Sequence, residues 1–192
     1  KLDRFFSTEA YPAPGSDIAA LLVFDHQVTM HHRLVEAAYR ARQSLFDSKL
    51  DAKETDVSKL NKGRSTDEFL EGRDKVVDYL LFRDETPIPK VSCDPTFRRA
   101  FAANRIADSR KRSLKDLRLD GRIFENRCSY MIYSPTFDQF PPMLKGAIYA
   151  RIHDILTSPK PVEGFDYLGK DEKRRILEIL DETKEDLPPG WL

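Results

Sequence analysis

The chain of 192 residues has no excess of charge of either sign: Lys plus Arg number 32, and so do Asp plus Glu. That balance removes the global electrostatic case for nucleic acid or an anionic membrane surface as a partner. No apolar run approaches the length that a bilayer demands, so no transmembrane segment is expected. Only two cysteines occur, Cys93 and Cys128. Neither stands in a Cys-x-x-Cys or Cys-x-x-Cys-His pattern, so a covalent c-type haem site is not encoded. A disulfide between the two stays open in an oxidising compartment. Gly-rich phosphate loops, internal repeats and low-complexity tracts are missing. No signal peptide is present, and Lys1 as first residue reads as a processed or trimmed chain whose missing start leaves room for a signal, an anchor or another domain.

What the chain does have is a segment over residues 16–49 without Gly or Pro, carrying three of the four histidines. Ser16 and Asp17 supply a capping oxygen and a negative charge at a helix start. Ile18, Leu21, Val28, Val35 and Leu45 then recur at helical spacing, widened by Phe24, Ala38 and Phe46. A second stripe runs through Ala19, Val23, Met30, Leu34 and Ala37. A surface helix needs one apolar side; two predict a helix packed between other elements over its first four turns. Arg40 and Arg42 break the pattern, so the C-terminal part is expected to reach solvent.

Further helices are predicted over 65–83, capped by Thr66, over 142–157 from Pro142, and over 171–185. Gly72 offers a place for close approach of another backbone, and the first two long helices can form an antiparallel pair. Asp94-Pro95 begins a short helix anchored by Phe97 and Phe101. A short helix is also expected within 54–61, and one helical turn within 113–117. Residues 104–142 carry few regular signals, and long irregular stretches in compact domains are often functional. The fold expected is all-α: an irregular domain of about four main helices around the long N-terminal one, with long Pro-rich connections. Residues 1–15 read as an extended arm anchored by Phe5, Phe6 and Tyr11. Residues 16–187 form the domain, and 188–192 a tail whose Trp191 plugs its own core.

The histidines are the main carriers of chemistry. An imidazole among apolar residues needs a partner for each nitrogen. The plain reading is that they bond to carboxylates or backbone in a helical core. The sharper one takes His26, Met30 and His31 as cofactor-binding residues. His26 and Met30, four apart, can touch one ion but cannot be opposite axial ligands of one haem. His26 and His31 lie about 140° apart round the helix, at about 100° per residue, so they do not chelate one ion. The Glu-x-x-His repeat of di-iron bundles is missing. Cys128 with His26 or His31, and Asp25 orienting His26, would make a thiolate pair, although a lone Cys in an apolar run is more often core. The basic run from Arg105 to Arg112 reads as a solvated loop.

Several stretches together resemble a family of uncharacterised exported bacterial proteins found in c-type cytochrome surroundings. They are Ser16-Asp17-Ile18-Ala19-Ala20-Leu21 leading to His26-Gln27 and Met30-His31; Asp108-Ser109-Arg110 to Ser113-Leu114; Cys128-Ser129-Tyr130-Met131-Ile132-Tyr133-Ser134 with Phe137-Asp138; and Ile176-Leu177-Glu178-Ile179-Leu180. His32, where the family pattern has Asn, and Cys93 depart from it. The resemblance implies a periplasmic or otherwise exported, non-enzymatic helical domain that binds or supports a redox (haem) protein or complex. Were a haem to sit on each side of the first helix, His26 and His31 would be the ligands. A purely structural subunit and a Cys128 enzyme are the alternatives.

Overall fold

The computed structural model describes residues 17–192, together with Arg4, Phe5 and Ser7. The chain is all-α as expected, with α1 (Ile18–Asp47), α2 (Arg64–Leu80), α3 (Pro95–Ala102), α4 (Pro135–Asp138), α5 (Pro142–Thr157) and α6 (Lys170–Thr183). Two isolated antiparallel bridges, Ile88 with Gly121 and Leu117 with Phe124, are the only extended pairings among the described residues. No helix among them is long and apolar enough to cross a membrane. Most of the arm expected over residues 1–15, with Phe6 and Tyr11, lies outside the described residues. Phe5 is exposed.

Periodicity explains the packing order. α1 buries Ala19, Val23, His26, Met30, Leu34, Ala37, Ala41 and Ser44, the three-four spacing of one helix face. That face lies along α2, running antiparallel: the Ser44 hydroxyl donates to the Ser65 carbonyl, and Gly72 of α2 faces Ala37, where an added Cβ would lie 3.5 Å from the Ala37 Cα. α2 rests in turn on α5, and α5 on α6. Phe69, Val76 and Leu80 of α2 share one core with Ile148, Ile152 and Ile155 of α5 and Ile176, Ile179 and Leu180 of α6. Trp191 closes that core, with its ring edge-on to Tyr149.

Several local expectations are corrected. Burial on both sides of α1 fails over its first turns: Ile18, Leu21, Phe24 and Val28 are 58%, 57%, 62% and 37% exposed. The buried stripe is the one that carries His26. At the other end, Ala37, Ala38, Ala41 and Leu45 are buried while Tyr39, Arg42, Gln43 and Phe46 are exposed, so that part of α1 reaches solvent on one side, as expected. The α1 cap is Asp17, whose carboxylate accepts from the Ala19 and Ala20 amides. α2 starts at Gly63, with φ 90°, and Thr66 instead donates to the Asn61 carbonyl. A 3-10 turn at Val57–Lys59 replaces the helix expected within 54–61.

The irregular stretch is held by charge. The Arg105 to Arg112 run is a largely exposed loop, as expected, but it is tied to the fold through its one buried residue, Asp108. Asp108 is buried and accepts from the Arg110 and Arg112 amides and from Arg112 Nε. The same run grips α6: Arg110 and Arg112 pair with Glu178, and Ser109 donates from amide and hydroxyl to Glu182. Further on, Arg122 Nη1 donates to both oxygens of Glu172 at 2.9 and 3.0 Å, with both residues buried. The Arg127 amide donates to the same carboxylate at 2.9 Å. Glu172 lies in the first turn of α6, where the helix dipole also favours its charge.

Removing one partner of a buried ion pair strands the other charge. Glu172→Ala is therefore expected to cost about 3–5 kcal/mol, read as a lower denaturant midpoint. The double substitution Arg122→Met with Glu172→Leu should cost clearly less. A single substitution that costs under about 1 kcal/mol, the range of exposed pairs, would contradict the assignment.

Candidate functional site

His26 lies on the buried face of α1 and is 3% exposed. Its Nε2 is hydrogen-bonded to the Ser129 hydroxyl, 2.7 Å away and 103 residues on in sequence. The ring stacks on Phe82 (centroids 4.9 Å apart, 12° between planes) and on Tyr79 (5.3 Å, 11°). Phe124 meets it edge-on at 5.5 Å, and Tyr130 lies tilted at 6.1 Å. Burial in this aromatic box pushes the His26 pKa from its ordinary 6.5 down to about 4, so the ring is neutral near pH 7.

The box is built by the end of α2. Phe82 takes the left-handed conformation, φ 59°, just past the helix, a place that favours glycine. The Arg83 amide reaches back to the Asp78 carbonyl and closes the helix end. The strain of a left-handed Phe, of order 1 kcal/mol, is offset by the stack it makes on His26. Ser129 completes the corner. Its amide donates to the Leu80 carbonyl at 2.7 Å, and its hydroxyl accepts from the Met131 amide, starting the 3-10 turn Tyr130–Tyr133.

The expected site residues are not brought together. Met30 is fully buried in the core, and His31 and His32 are exposed, His31 Nδ1 lying 3.5 Å from the Thr136 hydroxyl. As folded, neither His26 nor Met30 presents a ligating atom to an incoming iron, because Ser129 and four aromatic rings occupy the space around the imidazole. A haem held by His26 does not fit this geometry. Asp25 is exposed, and Ser129, not Asp25, is the hydrogen-bond partner of His26 Nε2. Among the described residues no three His, Cys, Asp or Glu side chains converge as a metal cluster. Both cysteines are free. Cys128 is fully buried, and burial pushes its thiol up to about 12, the reverse of an activated nucleophile.

Lys115 lies at the rim of the same aromatic cluster, and sequence patterns did not single it out. Its ammonium sits 4.4 Å from the Phe101 ring centroid and 5.4 Å from that of Tyr130. Compared with family models, with curated proteins and with solved structures, the chain matches none.

The neutral, buried His26 makes stability depend on pH. Unfolded, the ring titrates near 6.5; folded, near 4. Between these values the unfolded chain binds more protons. This contribution is therefore complete above about pH 6.5 and is lost as the pH falls toward 4, amounting to about 3 kcal/mol. Urea unfolding of wild type and His26→Phe across that range should show a shallower pH dependence in the variant. Identical slopes would contradict the buried neutral imidazole.

Proposed function

We propose that this chain is a non-enzymatic helical binding domain that docks a redox protein carrying haem, in the periplasm or otherwise outside the cytoplasm. The observation that carries the reading is the open side of α1. Ile18, Leu21, Phe24 and Val28 recur at helical spacing and remain exposed, where a surface helix would carry polar residues. A row of apolar side chains at this spacing is what a helix offers to a partner's groove. His31 and His32 extend the exposed side and are the imidazoles of α1 that reach solvent. The redox class of the partner rests on the likeness of the Ser16 to His31 and Cys128 to Asp138 stretches to the exported family. In this reading the haem belongs to the partner, and His26 serves to hold α1 in place. The burial of Cys128 speaks against the thiolate-enzyme alternative.

Leu21→Asp with Phe24→Asp tests the reading, because exposed positions tolerate substitution within about 0.5 kcal/mol. Immobilised wild-type chain, exposed to extract of the cells that make it, should retain a protein with haem absorbance, and the double variant should lose it. Retention of haem protein by both, or by neither, would overturn the proposal. So would a dimer of the chain that the double variant dissolves, since the face would then bind a second copy.

A further inference from the structure

Two adjoining clefts meet at Lys115. One, of about 280 Å³, is lined by Gln27 of α1, by Asn104 and Ile106, and by Tyr130, Met131 and Tyr133. The other, of about 240 Å³, lies over Phe101 and Leu117 beside Arg98 and Arg105. Lys115 Nζ donates to Asn104 Oδ1 at 2.6 Å, and no carboxylate among the described residues pairs with it. The adjacent acid, Asp116, is taken by Arg105 at 2.7 Å and by the Ser113 amide at 2.8 Å. Arg98 spends a long contact, 3.4 Å, on the Leu117 carbonyl. Three cations thus face these clefts against one acid that is already engaged.

A contrast sharpens the point. The larger neighbouring cleft, about 400 Å³, also contains a lysine, Lys184. That ammonium is matched by Asp138 and Asp186 of its own chain. Lys115 has aromatic faces in place of carboxylates, and partial burial lowers its pKa. Below it, Tyr130 is 8% exposed, and its hydroxyl is enclosed beside the Gln27 side chain.

We propose that the Lys115 cleft binds a compact organic monocarboxylate with an apolar or aromatic body. The carboxylate would supply the missing counter-charge to Lys115. Its body would lie on Ile106, Met131 and Tyr133. The cleft is at the small end of ligand sites, which run from about 300 to 1,000 Å³, so the ligand is small. A lysine is a point charge with no fork geometry, and the donors beside it are an amide and hydroxyls. Such a site suits one carboxylate better than a phosphate, which takes several charged or backbone donors. Gln27 reaches the cleft from the α1 side, but the proposal does not depend on what docks against α1.

Titration of the isotope-labelled full chain with benzoate, followed by amide chemical shifts, tests this. Saturable shifts are expected at Lys115, Tyr130 and Met131. Affinity should drop at least tenfold for benzamide, which keeps the ring and loses the charge, and at least tenfold in Lys115→Met. Three results would each overturn the proposal: no saturable shift, equal binding of benzamide, or inorganic phosphate binding as tightly as benzoate at the same residues. If Lys115→Met failed to fold, Lys115→Gln would serve, with the same tenfold loss expected; retained binding there would also overturn it.

Discussion

The contact between His26 Nε2 and the Ser129 hydroxyl joins three parts of the chain that lie far apart in sequence. His26 belongs to α1. Ser129 caps the last exposed carbonyl region of α2 through Leu80 and opens the turn that carries Tyr130. Between them stand Tyr79 and Phe82, aligned by the left-handed end of α2. A polar group enclosed by rings must be paired or its desolvation is costly. That requirement selects one register of α1 against the irregular segment. It also sets where Gln27, Tyr130 and Lys115 meet, because Gln27 follows His26 and Tyr130 follows Ser129.

Charge does for the irregular segment what periodicity does for the helices. Loops rich in polar backbone groups are hard to bury. Here the acidic side of α6 supplies partners along the whole stretch: Glu172 for Arg122 and Arg127, Glu178 for Arg110 and Arg112, Glu182 for Ser109. A net charge of zero thus conceals strong internal pairing. Lys115 is seated on aromatic faces with no acid paired to it among the described residues, and that is why the cleft around it stands out chemically.

How much of this is legible in the residues differs by feature. α5 follows from Pro142 and a clean apolar face, and α3 from Asp94-Pro95, whose carboxylate caps the Thr96 and Phe97 amides. The pairing of α1 with α2 through Gly72 follows from the missing side chain. Burial of His26 is readable from its place on the Ala19 to Ala37 stripe. Its partner is not, because a hydrogen bond across 103 residues leaves no periodic trace. The side of α1 that stays open is equally hidden: two apolar stripes on one helix do not say which one finds a neighbour. The left-handed Phe82 escapes notice because sequence rules look there for Gly or Asn. Lys115 escapes because its setting is made by Phe101 and Tyr130, which only the folded chain brings together.

The most direct test of the central contact is the proton titration of the His26 ring in the folded protein, followed by imidazole resonances. A buried ring bonded to Ser129 should stay neutral until about pH 4, with slow exchange at its nitrogen. A His26 that titrates near its ordinary 6.5 would contradict the account.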